Sequence, residues 1–312
     1  MASDTRIAAF ETPGVVRERL AVHSSVADYW SLTKPDINVL IAIATFAGFY
    51  LGSASRPQNF PFVLLIHTLL GTLLVAGGAG TLNQYVERRY DARMRRTRRR
   101  PLAAGRLEPF SALCFGALLA FAGSIYLAIA VNTLASLLAV ITLASYLSLY
   151  TPLKRKTPLC TVVGALPGAM PPLIGYAAAT EKLSVDAWIL YAILFLWQFP
   201  HFMAIAWMYR EDYLRAGYLV LPCGPQSGRY MSWQTLAPSL VLIPVSMSPI
   251  FIHGFGRGYS VAACALSSAL CFYSARLALQ KSNGAARRLL MASIVYLPLL
   301  FFLVILGRFQ YR

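Results

Sequence analysis

Residues 62–101 read FVLLIHTLLGTLLVAGGAGTLNQYVERRYDARMRRTRRRP, an apolar segment that runs directly into a polar, arginine-rich one. A membrane-spanning helix needs about 20 mainly apolar residues, and residues 62–82 meet that length. At the end of this segment Asn83, Glu87 and Asp91 follow one another at four-residue steps. Because four residues advance a helix by little more than one turn, the three side chains form one stripe. The sequence therefore predicts a membrane helix whose end carries a stripe of oxygen-bearing side chains.

The whole chain has the composition of a membrane protein, since it is 57% hydrophobic and only 13% charged over 312 residues. An average soluble protein is roughly 25% charged. We expect an all-α integral membrane protein with about nine transmembrane helices around a central cavity. A polytopic domain at 29–312 follows an N-terminal tail at 1–28. The apolar stretches run over 37–53, 62–82, 109–129, 132–150, 161–179, 187–208, 235–254, 259–279 and 289–307.

The net charge is +16, and the Lys and Arg residues that produce it are concentrated in segments predicted to lie on one side of the membrane. All but five of the 28 Lys and Arg residues lie in the N-terminal tail or in the loops after the second, fourth, sixth and eighth spans. This alternation predicts a cytoplasmic N-terminus and a periplasmic C-terminus, and it argues against nucleic acid as the partner. Residues 1–36 contain neither an apolar signal-peptide core nor the acid-poor composition of a transit peptide. We therefore expect a multi-pass protein of a bacterial inner membrane.

The stripe and the neighbouring arginines together suggest a cradle for magnesium and a diphosphate. Magnesium bound to phosphates takes one or two protein carboxylates, a role that suits Glu87 and Asp91, with Asn83 as a neutral ligand. The alternative is a solvated helix end whose charges only set topology. Most of the arginines are expected to set topology or to contact anionic membrane lipid. From spacing alone, the pair Arg96 and Arg100 remains open as a substrate contact.

Two further segments carry candidate functional residues. Lys154 and Arg155 follow the fourth span and either clamp a leaving diphosphate or only set topology. In the sixth span, His201 is open as a metal ligand, a substrate contact, a proton carrier or a packing residue. Asp212 is the preferred ligand for a second magnesium ion. It lies close to Tyr209 in the sequence, at the cytoplasmic end of the sixth span.

The fifth span is interrupted by glycine and proline in VVGALPGAMPPLIGY, residues 162–176. Irregular backbone at membrane depth is tolerated only where it is buried in protein or lines a cavity. Cavity lining and a simple packing kink both remain open for this segment.

Together these motifs resemble the UbiA superfamily of intramembrane prenyltransferases, from Leu32 to the ninth span. The Met-x-Arg-Thr pattern after the stripe is typical of the branch that prenylates haem. The stripe departs from the family at Glu87, where Asp is usual. The matching residues are Asn83, Glu87, Asp91, Met94, Arg96, Thr97, Arg100 and Pro101, with Leu32-Thr33-Lys34-Pro35, Tyr150-Thr151-Pro152-Leu153-Lys154-Arg155, Gly168-Ala169-Met170-Pro171-Pro172, Trp197-Gln198, Pro200-His201-Phe202, Asp212-Tyr213, Ala216-Gly217 and Leu221-Pro222.

The resemblance implies a UbiA-type bundle that transfers the farnesyl group of farnesyl diphosphate to a vinyl group of haem B, giving haem O and diphosphate. It implies Mg²⁺ as the cofactor and places haem A synthase among the candidate partners. Prenylation of an aromatic quinone precursor and a non-enzymatic transporter or lipid-binding protein are the alternatives. The residues assigned to catalysis or the metal are Asn83, Glu87, Asp91, Asp212 and Lys154. Those assigned to substrate are Lys34, Arg96, Arg100, Tyr150, Arg155, Tyr209 and His201.

Overall fold

The computed structural model describes residues 26–53, 60–249 and 256–309, and within these ranges the regular structure is helical, without a strand. Residues 1–25 of the predicted tail lie outside them, so the division at residue 28 stays a prediction. The helices are α1 Val26–Leu32, α2 Pro35–Gly52, α3 Phe62–Asp91, α4 Pro109–Ala130, α5 Thr133–Ser145, α6 Cys160–Gly168, α7 Pro171–Thr180, α8 Val185–Met208, α9 Arg210–Ala216, α10 Gln226–Met247, α11 Arg257–Gln280 and α12 Asn283–Phe309.

The predicted spans correspond to long helices in the described part of the chain. Eight helical segments are long and apolar enough to cross a membrane. Two of them are composite: α5 continues to Leu153, and α6 with α7 forms one span. The 22-residue helix α10 falls in the place of the seventh predicted span but is not among the eight. The expectation of about nine spans is therefore consistent with the structure, and the protein is a multi-pass membrane protein.

Helix α10 begins at Gln226, whereas hydropathy places the seventh span at 235. Its first turns are polar, with Gln226, Arg229 and Ser232 among the residues before that point. Hydropathy marks only the length of helix that faces lipid, so polar turns that extend a helix beyond it are missed. For the same reason α12 begins at Asn283 rather than at 289.

The loops after the even-numbered spans meet at one end of the bundle. The start of α2 contacts the end of α3 through Lys34 and Asn83. The loop after α5 contacts α3 through Lys154 and Glu87. The loop after α11 contacts α8, since the indole of Trp207 donates to the carbonyl of Lys281 at 3.1 Å. These contacts place the basic loops after the even-numbered spans at the same end of the bundle.

The interrupted fifth span packs directly on the first. Every residue of α7 from Pro171 to Ala178 is buried. A Cβ added at Gly175 would overlap the backbone carbonyl of Thr45, and one added at Gly48 would overlap that of Pro172. Small residues permit this close approach of helices in a membrane. For α7, the packing alternative is therefore the one that the structure favours.

Candidate active site

The stripe predicted from the sequence is helical throughout and buried. Because α3 continues to Asp91, the side chains of Asn83, Glu87 and Asp91 follow one face of the helix. These residues are only 1%, 5% and 2% exposed. Buried carboxylates require compensation by opposite charge and hydrogen bonds, so their partners define the site.

One cationic side chain holds each member of the stripe. The cations come from the start of the first span, the loop after the second and the loop after the fourth. The contacts are Lys34 Nζ to Asn83 Oδ1 at 2.8 Å, Lys154 Nζ to Glu87 Oε1 at 2.8 Å and Arg100 Nη1 to Asp91 Oδ2 at 2.9 Å. The structure thus brings together six residues that the sequence assigned to one site.

Lys154 is enclosed by aromatic rings as well as by Glu87. Its ammonium lies 4.5 Å from the centroid of the Tyr150 ring and 6.0 Å from that of Tyr218, and its side chain is 14% exposed. Burial disfavours the ammonium form, but the Glu87 carboxylate outweighs burial and raises the pKa of Lys154 well above its ordinary value. Lys154 therefore carries a full positive charge beside Glu87.

A π-helical turn at Tyr146–Tyr150 extends the fourth span and sets the position of Tyr150. Single π-helical turns are rare in proteins overall, and those that occur are often found at functional sites. The ring of Tyr150 lies against Gly164, where a Cβ would clash with it. The next residue, Thr151, accepts a hydrogen bond from Asn83 Nδ2 at 3.3 Å, so the fourth span is tied directly to the stripe.

The second acidic loop meets the first at Asp212, which is 7% exposed. The backbone N–H of Arg96 donates to Asp212 Oδ2 at 3.3 Å, and Arg215 Nη2 lies 3.0 Å from Oδ1. The guanidinium of Arg96 donates to the Tyr213 hydroxyl at 3.0 Å and lies 4.8 Å from the centroid of the Tyr209 ring. These contacts bring the loop after the sixth span against the loop after the second.

Most of the arginine run stays in solvent. Arg93, Arg95, Arg98 and Arg99 are exposed, and no ion pair is found for them within the described ranges. Arg106 pairs with Asp28 at 2.9 Å, away from the stripe. This arrangement agrees with the expectation that most of these arginines have no part in chemistry.

His201 and Arg155, two predicted substrate contacts, have partners other than the stripe. Nδ1 of His201 is hydrogen-bonded to Ser293 Oγ at 2.9 Å, and its ring stacks on Trp197 with centroids 4.6 Å apart. Arg155 is exposed, and its guanidinium lies 4.6 Å from the centroid of the Tyr90 ring. These contacts are those of a packing histidine and a surface arginine, so a substrate role for either residue stays a prediction.

Tyr218 lies near Glu87 of the stripe and was not among the residues predicted for the site. It is 3% exposed and packs with Met94 and Ala216. Burial and the nearby Glu87 carboxylate raise the pKa of Tyr218 above its ordinary value, so the hydroxyl keeps its proton. A tyrosine near the mouth of a membrane bundle is usually an interfacial anchor, so its type and position gave no signal of a site.

The donor set of the stripe fits a magnesium ion that is bound together with a diphosphate. Within the described residues, no group of three or more His, Cys, Asp or Glu side chains is placed to hold a metal by itself. Magnesium usually takes one or two carboxylates and completes its shell with phosphate oxygens and water. Glu87 and Asp91 supply those carboxylates and Asn83 a neutral oxygen, so an independent cluster is not required.

Fold and site together define a polytopic helical membrane protein that presents buried oxygen ligands and three cations at one end of its bundle. The UbiA prenyltransferase family model matches residues 41–305, and the chain belongs to that family. It is an intramembrane prenyltransferase.

Among its relatives is a protoheme IX farnesyltransferase from Solibacter usitatus, which is 45% identical over 90% of this chain and 98% of its own. A solved structure of digeranylgeranylglyceryl phosphate synthase covers 91% of this chain and 99% of its own, with a TM-score of 0.72 and 18% identity. A UbiA homologue from Archaeoglobus fulgidus bound to GPP and Mg²⁺ covers 89% of this chain and 99% of its own, with a TM-score of 0.58 and 16% identity. At these identities the two structures show the fold alone.

Proposed function

We propose that this protein transfers the farnesyl group of farnesyl diphosphate to a vinyl group of haem B, with water supplying a hydroxyl group, to give haem O and diphosphate. The name of the relative with 45% identity supports haem as the acceptor. The observation that carries the proposal is the buried stripe with one cation on each member. An anionic diphosphate with its metal is the ligand that such a mixture of carboxylates and cations fits.

Diphosphate binding is an exchange of partners within this site. Lys154 and Arg100 hold Glu87 and Asp91. If the carboxylates served as ligands of a metal, both cations would be free to bind diphosphate oxygens. There they would offset the negative charge that grows on the leaving group as the carbon–oxygen bond breaks. Lys34, which donates to Asn83, is placed to act in the same way.

Magnesium is the metal that the oxygen ligands favour, and Asn83, Glu87 and Asp91 would hold it, with Asp212 as the candidate ligand for a second ion. The Archaeoglobus homologue is bound to GPP and Mg²⁺. The bound ion would neutralise the diphosphate and so make it a better leaving group. The chain's own residues would fix the diphosphate in place, and apolar protein around the allylic cation would limit its reaction with water.

The acceptor side of the proposal concerns haem and the membrane. An electron-rich vinyl carbon of haem B attacks the allylic cation, and His201 is the candidate haem contact. The excess of Lys and Arg at the end that carries the stripe favours a cytoplasmic site and N-terminus and a periplasmic C-terminus in a bacterial inner membrane. Haem A synthase is a candidate partner because it would use the product.

The test is to express the chain in membranes that make haem B, extract the haem and separate it by chromatography. We expect haem O from the wild-type protein and none from Asp91→Ala. Glu108→Ala removes an exposed acid outside the stripe and is expected to leave haem O formation unchanged.

Three outcomes would contradict the proposal. Prenylation of a quinone precursor without haem O would assign another acceptor. Equal haem O from Asp91→Ala and the wild type would remove the stripe from catalysis. Absence of any prenylated product from an active preparation would favour a non-enzymatic protein.

A further inference from the structure

Tyr218 lies beside the ion pair of Lys154 and Glu87, and the Glu87 carboxylate is the acceptor that acts on its hydroxyl. The residue is 3% exposed, and within the described residues its buried hydroxyl makes no hydrogen bond of ordinary geometry. Buried polar groups are nearly always hydrogen-bonded, and an exception requires an explanation. A bound substrate that completes the hydrogen bond is such an explanation.

The backbone around Tyr218 fixes the ring in this position. Gly217 has φ of 77°, which a glycine adopts readily, and turns the chain after α9. The N–H of Tyr218 donates to the carbonyl of Tyr213 at 2.9 Å, and the N–H of Leu219 donates to the carbonyl of Lys154 at 2.7 Å. The ring and Lys154 are therefore held by one hydrogen-bonded junction of two loops.

The charged groups that act on the Tyr218 hydroxyl are those of the proposed diphosphate site. They are Glu87, Lys154 and Asp91, and the ammonium of Lys154 lies 6.0 Å from the ring centroid. A phenol is a neutral donor, so it adds a hydrogen bond to an anion without adding a further charge to a buried site.

We propose that Tyr218 is a substrate-binding residue whose hydroxyl donates a hydrogen bond to a diphosphate oxygen once Lys154 has moved from Glu87 to the same group. This inference rests on the proposed function, because the diphosphate of that reaction is the acceptor. No proton is transferred in this step; Tyr218 orients the leaving group and stabilises its charge.

Tyr218→Phe tests the inference because it removes only the hydroxyl. Binding of inorganic diphosphate at saturating Mg²⁺, measured by calorimetry on the purified protein, is expected to weaken roughly tenfold to a hundredfold. Without diphosphate, the thermal midpoint of the variant is expected to equal or exceed that of the wild type, since no hydrogen bond of ordinary geometry within the protein is lost. The control is Tyr230→Phe, which removes a hydroxyl that donates to the carbonyl of Pro158 at 2.8 Å and should leave diphosphate affinity unchanged.

Two results would overturn the inference. One is wild-type diphosphate affinity in Tyr218→Phe. The other is a Tyr218→Phe variant that needs more Mg²⁺ but binds diphosphate with unchanged affinity at saturating Mg²⁺. That result would show that the Tyr218 hydroxyl acts on Glu87 rather than on the diphosphate. Haem O formation by wild-type membranes tests the proposed function separately. Normal haem O together with unchanged affinity in the variant would remove the role of Tyr218 alone.

Discussion

Replacing Lys154 by methionine removes the cation that covers Glu87 and leaves a carboxylate whose side chain is only 7% exposed. Breaking a buried ion pair from one side costs about 3–5 kcal/mol, because the remaining charge is uncompensated. Lys154 keeps 14% exposure, so water screens part of this cost and we expect a loss of about 3 kcal/mol in the free energy of unfolding. Methionine keeps most of the length of the lysine stem, so little packing is lost.

Reversible chemical unfolding in mixed micelles measures this loss. The variants needed are Lys154→Met, Glu87→Gln and the double variant that combines them. The double variant contains no unpaired charge, so we expect it to regain most of the stability that Lys154→Met loses. The matched control is Lys156→Met, an exposed lysine two residues further on, for which we expect a change within about 0.5 kcal/mol.

Activity distinguishes the catalytic role of Lys154 from its structural role. Lys154→Met lacks the cation at the leaving diphosphate, so its kcat is expected to fall by about 10²- to 10³-fold. The double variant also lacks the Glu87 carboxylate, so it is expected to be no more active than Lys154→Met. Equal stability of Lys154→Met and Lys156→Met would refute the reasoning, because the pair would then behave as a solvent-exposed one. Recovery of activity in the double variant would refute the catalytic part.

Arg100→Met removes the partner of Asp91 and is expected to raise the KM for farnesyl diphosphate about tenfold or more. Arg98→Met replaces an exposed arginine and should leave this KM unchanged. Equal KM values in the two variants would exclude Arg100 from the site. Gly175→Ala drives a Cβ into the Thr45 backbone and should lower the free energy of unfolding by about 1–3 kcal/mol. Gly258→Ala, whose added Cβ would have nothing within 4 Å, is the control and should not destabilise the protein. An unchanged free energy of unfolding in Gly175→Ala would contradict the close packing. Chelation of Mg²⁺ by EDTA is expected to abolish turnover without changing the helical circular dichroism signal, because cations already hold the stripe; loss of helix would show that the metal is structural.

The stripe could be predicted from the sequence because it depends on local geometry alone. Four-residue spacing places Asn83, Glu87 and Asp91 on one face of any helix, and the structure needs only to continue α3 to Asp91. The spans were predictable for a similar reason, since lipid imposes a length and a composition on each. The start of α10 was not, because its first turns lie beyond the part that hydropathy marks.

The partners of the stripe are set by tertiary contacts that no spacing reveals. Lys34 is 49 positions from Asn83, and Lys154 is 67 positions from Glu87. A family resemblance assigned both lysines to the site, but it did not indicate which oxygen each one holds. Tyr218 had no signal of either kind, since only packing buries its hydroxyl near Glu87 and Lys154.

Each member of the stripe is paired with a cation, and this pairing would couple the binding of the metal to the binding of diphosphate. Buried carboxylates are costly unless paired, so the cations that are proposed to bind diphosphate also stabilise the stripe. If Glu87 alone became a metal ligand, Lys154 would lose its partner, and if Lys154 alone bound a diphosphate, Glu87 would lose its own. Both groups would be satisfied only when both ligands are bound, so each ligand would raise the affinity of the site for the other. The pairing of Lys154 with Glu87 would thus favour a diphosphate that arrives with its metal over either ligand by itself.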